Sequence, residues 1–162
     1  MTVEETIRLS LVNSDNTASN ILRSTIPALA IDRVFDSLDI PKDTKGVFHI
    51  ISPKNYSSIL RSLYLSSYLT EASSNEILGI LTMTVFNDKI AAGVPKNIKV
   101  AHKIGVFSTK DELEETYGDC GIVYVPKRPY VICIMTKSNE TESREHMQHI
   151  SKMIYGYVTA VK

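Results

Sequence analysis

Eighteen residues near the C-terminal end, "CGIVYVPKRPYVICIMTK" at 120–137, constrain the fold more than any others. Two apolar, β-branched runs, 120–126 and 129–137, are separated only by Lys127 and Arg128, which stand between Pro126 and Pro129. Runs of this length bounded by turn residues read as strands, and so short a link joins antiparallel neighbours. A third such run, "IKVAHKIGVF" at 98–107, precedes them across the polar connection "STKDELEETYGD" at 108–119.

Before these strands the period is helical. Thr2-Val3-Glu4-Glu5 forms a capping box, and Val3, Ile7 and Leu11 recur at helical spacing, which predicts a helix over 3–12. "NSDN" at 13–16 ends it, and Asn16 or Thr17 caps a second helix carrying Ile21 and Leu22. Pro27 suits the first turn of a third, with an apolar stripe of Ile31, Val34, Phe35 and Leu38. Residues 39–51 read as a connecting loop punctuated by Pro41 and Gly46. Ser52-Pro53 starts a fourth helix buried through Tyr56, Ile59, Leu60 and Leu63, and a fifth spans 71–84. From Ser143 the helical period returns through Met147, Ile150, Ile154, Tyr157 and Val161. Helices, three strands and a last helix argue for an α+β fold, an antiparallel sheet covered by helices. The 162 residues suit one domain, mainly helical over 1–95, with the strands and terminal helix over 96–162.

Eighteen basic residues balance eighteen acidic ones, so no nucleic-acid partner is indicated. No apolar run approaches the roughly 20 residues of a membrane span. The N-terminal "MTVEETIRLS" is unlike an export signal, which by itself points to the cytoplasm. Cys120 and Cys133 fall in the two hairpin strands. A cross-strand bridge is open to them, but buried free thiols are the favoured reading, because free cysteine packs as a small hydrophobe. His146 and His149, three apart on the last helix, read as a helix face rather than a metal site.

Two stretches carry chemistry. Ser14-Asp15-Asn16 gathers a hydroxyl, a carboxylate and an amide between two helices. Lys103-Ile104-Gly105 interrupts an apolar strand with a lysine and a glycine. A lysine in mid-strand faces a cleft or the solvent, and a strand glycine often marks the close approach of a ligand.

In this order the two stretches resemble the second and third motifs of the penicillin-recognising serine hydrolases, the class A β-lactamases and their D,D-peptidase relatives. That signature runs S-x-x-K, S-D-N, K-T-G. "SDN" is intact in "SDNTASNIL", "KIG" has isoleucine at the middle position, and the hairpin and terminal helix follow as in the family. The resemblance implies a β-lactamase/transpeptidase-like fold and acyl-enzyme chemistry on β-lactams or peptidoglycan D-Ala-D-Ala peptides, with no metal or organic cofactor. It implies that Ser14 shuttles a proton to the leaving nitrogen. Asn16 donates to a substrate carbonyl and braces the catalytic lysine, while Asp15 turns inward to fix the loop. Lys103 supplies positive charge for the substrate carboxylate. Ile104 and Gly105 line the site, and the backbone N–H of Val106 acts as one oxyanion donor.

The pattern departs from the family in three places. No serine in the 162 residues has a lysine three positions later; Ser52-Pro53-Lys54 and Ser108-Thr109-Lys110 have the wrong spacing. The chain is therefore expected to be the C-terminal portion of a longer domain, inactive alone, with the missing N-terminal part as its structural partner. The alternative is a non-catalytic binding module of the same fold. Ile104 replaces the hydroxyl residue that helps hold the substrate carboxylate. Residues 39–52 hold no glutamate to activate a deacylating water, only Asp39 and Asp43. The resemblance implies an extracytoplasmic location, at the cell envelope or secreted. An unpaired sheet edge implies self-association when the chain is expressed alone.

Overall fold

The computed structural model describes residues 1–45, 48–108 and 115–161. Five helices come first: α1 (Val3–Val12), α2 (Asn16–Thr25), α3 (Ala28–Ser37), α4 (Pro53–Tyr64) and α5 (Glu71–Leu81). Two three-residue strands, β1 (Asp43–Lys45) and β2 (Phe48–Ile50), lie between α3 and α4. A single 3-10 turn (Ile90–Gly93) leads into β3 (Val100–Phe107), β4 (Glu115–Val123) and β5 (Tyr130–Ser138), and α6 (Glu140–Ala160) ends the chain. The architecture is α+β, with a three-stranded antiparallel sheet in the order β3-β4-β5.

Local chemistry explains most helix starts. Thr2 and Glu5 form the reciprocal capping box, and Ser52, Thr70 and Asn139 each accept a backbone N–H at the start of α4, α5 and α6. The sheet separates two cores. On one face Val100, Tyr117, Val123, Ile132 and Ile134 pack with Ile90, Val94 and Met147 of α6. On the other, Ala101, Cys120 and Ile122 meet Leu60 of α4 with Leu78 and Leu81 of α5. Arg128, in the β4–β5 turn, donates to the carbonyls of Val158 and Val161, where a cation suits the end of α6.

Five expectations are corrected. The 39–51 loop contains a small hairpin, with Asp43 opposite Ile50 and Lys45 opposite Phe48; strand formers beside Gly46 are a hairpin signal. The polar connection at 108–119 is shorter than read, because β4 begins at Glu115; residues 109–114 lie outside the described ones. Asp15, not Asn16 or Thr17, caps α2, its carboxylate accepting the Ala18 N–H at 2.7 Å. Cys120 and Cys133 are joined rather than free: they face each other in the β4–β5 register, Cα atoms 3.9 Å apart, and form a disulfide. On α6, Tyr157 is 72% exposed and Val161 is exposed too, while Tyr155 is the tyrosine that packs against the core. His146 and His149 are exposed on that helix. Among the described residues no helix is long and apolar enough to cross a membrane.

Candidate active site

Among the described residues, strand β3 borders the sheet and pairs with β4 alone. Alternation along it sends successive side chains to opposite faces. Lys103 lies opposite Cys120 in register, on the face covered by α4 and α5, and reaches the link between α1 and α2. Its ammonium donates to Ser14 Oγ at 2.6 Å, a contact between residues 89 apart in sequence, and to the Ile104 carbonyl at 2.8 Å. Burial pulls the Lys103 pKa down from its ordinary value, and the carboxylate of Asp119 partly opposes that.

The link that carries Ser14 is tied at both ends. Ser14 itself has φ 54°, in the left-handed region that a side chain with a Cβ rarely adopts. The Asp15 N–H donates to the Leu9 carbonyl at 3.3 Å, and the Asp15 carbonyl accepts from Ser19 Oγ at 2.8 Å. Two residues before Ser14, the Val12 carbonyl accepts from Val85 N–H and from the buried Thr84 hydroxyl, each at 3.3 Å. Ser14 is thus held where Lys103 can meet it.

The remaining residues singled out in the sequence do not all converge. Asn16 is the first residue of α2, exposed, and makes no hydrogen bond to Lys103 or to any other side chain among the described residues. Ile104 lies opposite Asp119, on the other face of the sheet from Lys103. Beside Gly105 the space is open: a Cβ placed there would meet nothing within 4 Å. Val106 follows it, 53% exposed, near the free end of the edge strand.

Sequence reasoning missed the polar groups beneath this site. His102 and Asp119 are both 0% exposed, with His102 Nδ1 2.9 Å from Asp119 Oδ1. The other carboxylate oxygen accepts the Ile90 N–H at 3.1 Å, and His102 Nε2 faces Asn87 Oδ1 at 3.4 Å. Asn87 is oriented by its own amide, which donates to the Thr84 carbonyl at 2.8 Å. The sequence signal was a histidine in mid-strand, on the face opposite Lys103.

A model of the β-lactamase enzyme family matches residues 1–158. The chain belongs to that family. No curated protein sequence matches it. Among solved structures, PBP-A superposes with a TM-score of 0.84 at 24% identity, covering 99% of this chain and 63% of that one. A mutant of PBP-A solved as an acyl-enzyme with penicillin G gives 0.83, also at 24% identity, with the same coverage of each chain. A representative class A β-lactamase from Bacteroides cellulosilyticus gives 0.88 at 17% identity, covering 99% of this chain and 65% of that one. At these identities the likeness establishes the fold. The chain spans a little under two thirds of the length of these structures.

Proposed function

We propose that this β-lactamase-family chain forms one wall of an acyl-transfer cleft acting on β-lactams or on peptidoglycan D-Ala-D-Ala peptides. The observation that carries this reading is the 2.6 Å hydrogen bond from Lys103 to Ser14. Because Ser14 accepts from Lys103, its own O–H is free to donate to a leaving nitrogen. As that proton departs, Lys103 passes one to the serine oxygen, and the net result is one proton moved from lysine to nitrogen. Desolvation of Lys103, which weakens its hold on its proton, favours this direction. Before reaction the same ammonium attracts a substrate carboxylate. Asp15 fixes the loop through its bond to Ala18, and the exposed Asn16 amide is available to a substrate carbonyl. The open space beside Gly105 leaves room for the reacting carbonyl near the Val106 N–H.

The serine nucleophile and its lysine are not among these 162 residues, so the chain supplies proton transfer and binding but no acyl-enzyme of its own. The relatives' PBP-A acyl-enzyme with penicillin G supports the chemistry as a class. A location outside the cytoplasmic membrane, where peptidoglycan lies, goes with this reading. Fluorescent-penicillin labelling, followed by mass spectrometry of the adduct, tests it on the 162-residue chain and on any longer product of its gene. A labelled longer product, and loss of that label on Lys103→Met, is the expected outcome. Absence of label from every product would sink the catalytic reading.

A second reading, a binding module without chemistry, is favoured by one observation: Ile104 stands where the family pattern has a hydroxyl residue. It predicts reversible penicillin binding by the chain, seen as fast-exchange NMR shifts at Lys103 and Ser14, with no covalent adduct.

A further inference from the structure

We infer that the buried His102–Asp119 pair is a positioning unit for Lys103, anchoring β3 in the one register and twist that deliver the ammonium to Ser14. The inference rests on the acyl-transfer reading only for what Lys103 does there, not for how it is placed.

Three independent features converge on the pair. First, it is sealed: both side chains are fully buried, and a carboxylate in such a place persists only with its oxygens occupied. They are occupied by the His102 ring from β3 and by the Ile90 N–H from the 3-10 turn, so one carboxylate clamps three segments together. Second, β4 is cut away to admit the histidine. Gly121 lies opposite His102, and a Cβ there would stand 2.4 Å from His102 Cβ and 2.6 Å from the Ala101 carbonyl oxygen. No side chain fits, and the close approach seats the residue immediately before Lys103. Third, the pair lies on the face opposite Lys103, so it orients that residue through the backbone while leaving the cleft side free.

The carboxylate also acts through space. Of the groups around Asp119, His102 touches it directly, Lys103 is drawn toward its charged form by it, and Tyr56 of α4 has its pKa pushed up to about 12, by burial first and by this carboxylate second. Its charge bears on Lys103 whatever the pair's structural role, so what separates positioning from core filling is whether the ammonium still reaches Ser14 once the carboxylate is made neutral.

That difference is measurable on the 162-residue chain, by NMR titration of the Lys103 side chain with selectively labelled lysine. In Asp119→Asn, judged folded by its amide spectrum, the Lys103 midpoint falls and the Lys103–Ser14 proximity weakens. An unchanged Lys103–Ser14 proximity in the folded variant overturns the inference, whatever the midpoint does. Should Asp119→Asn fail to fold, the parent chain supplies the decision through the ring nitrogens of His102. The unit requires a proton on Nδ1, facing the carboxylate, and a bare Nδ1 overturns it. Neither measurement depends on penicillin chemistry. Failed labelling with a perturbed Lys103 refutes the proposed function alone, and labelling with an indifferent Lys103 refutes the positioning role alone.

Discussion

Lys103 stands on a strand whose neighbours are sealed into two cores, whereas Ser14 stands on a short link between helices α1 and α2. Beyond α2 the chain continues into α3, which has no buried residue. The lysine wall is over-determined by apolar burial, a buried histidine hydrogen-bonded to Asp119 and a glycine that nothing else can replace. The serine wall depends on a cap, a few backbone bonds and the lysine itself. In the proposed cleft one rigid side sets the geometry and one lighter side follows it.

That contrast can be broken most sharply at Asp119. Removing its carboxylate as Asp119→Ala strands a buried imidazole and a buried N–H, and should cost about 3–5 kcal/mol in urea unfolding. A loss below about 1 kcal/mol would show that the sheet wall does not depend on the pair. Next come the two glycines of the sheet. Gly121→Ala drives a methyl into His102 and the Ala101 carbonyl and should cost about 2–3 kcal/mol, while Gly105→Ala, with open space around it, should change stability by less than about 0.5 kcal/mol. Equal effects at the two positions would erase the distinction between a packed strand interior and an open cleft rim. On the serine wall, Asp15→Ala loses an N-cap and should cost about 1 kcal/mol, with larger chemical-shift changes in α2 than in β3.

The smallest effect concerns Tyr130 on β5, whose hydroxyl is buried with no partner among the described residues. Tyr130→Phe should be neutral or stabilising by up to about 1 kcal/mol at neutral pH. Burial raises its folded pKa from 10.0 to about 12, so its contribution is whole below pH 10 and is lost as pH rises toward 12. Thermal melts of the two proteins should therefore diverge in favour of phenylalanine between pH 10 and 12, and parallel curves would refute the buried phenol.

Much of this was legible before any coordinates. Thr2 and Glu5 announce α1, Ser52-Pro53 announces α4, and Lys127-Arg128 between two prolines announces the hairpin, because each signal is local and acts through the backbone alone. The ordered SDN and KIG stretches marked two residues that the fold then brought to 2.6 Å. Asp119 was not legible, since a strand is recognised by its apolar residues and a buried carboxylate counts against one until its partner is known. His102 was hidden for the same reason, each residue concealing the other. Tyr157 shows the converse error: helical spacing marks a stripe, but tertiary packing decides where the stripe stops being covered.

The left-handed backbone at Ser14 has one more consequence. Threonine would present the same hydroxyl to Lys103, and by chemistry alone the two residues are interchangeable. A β-branched side chain at φ 54° meets its own backbone, so the torsion angle, not the reaction, discriminates between them. At this position the vocabulary of acceptable alcohols has a single word, and it is the shape of the main chain that wrote it.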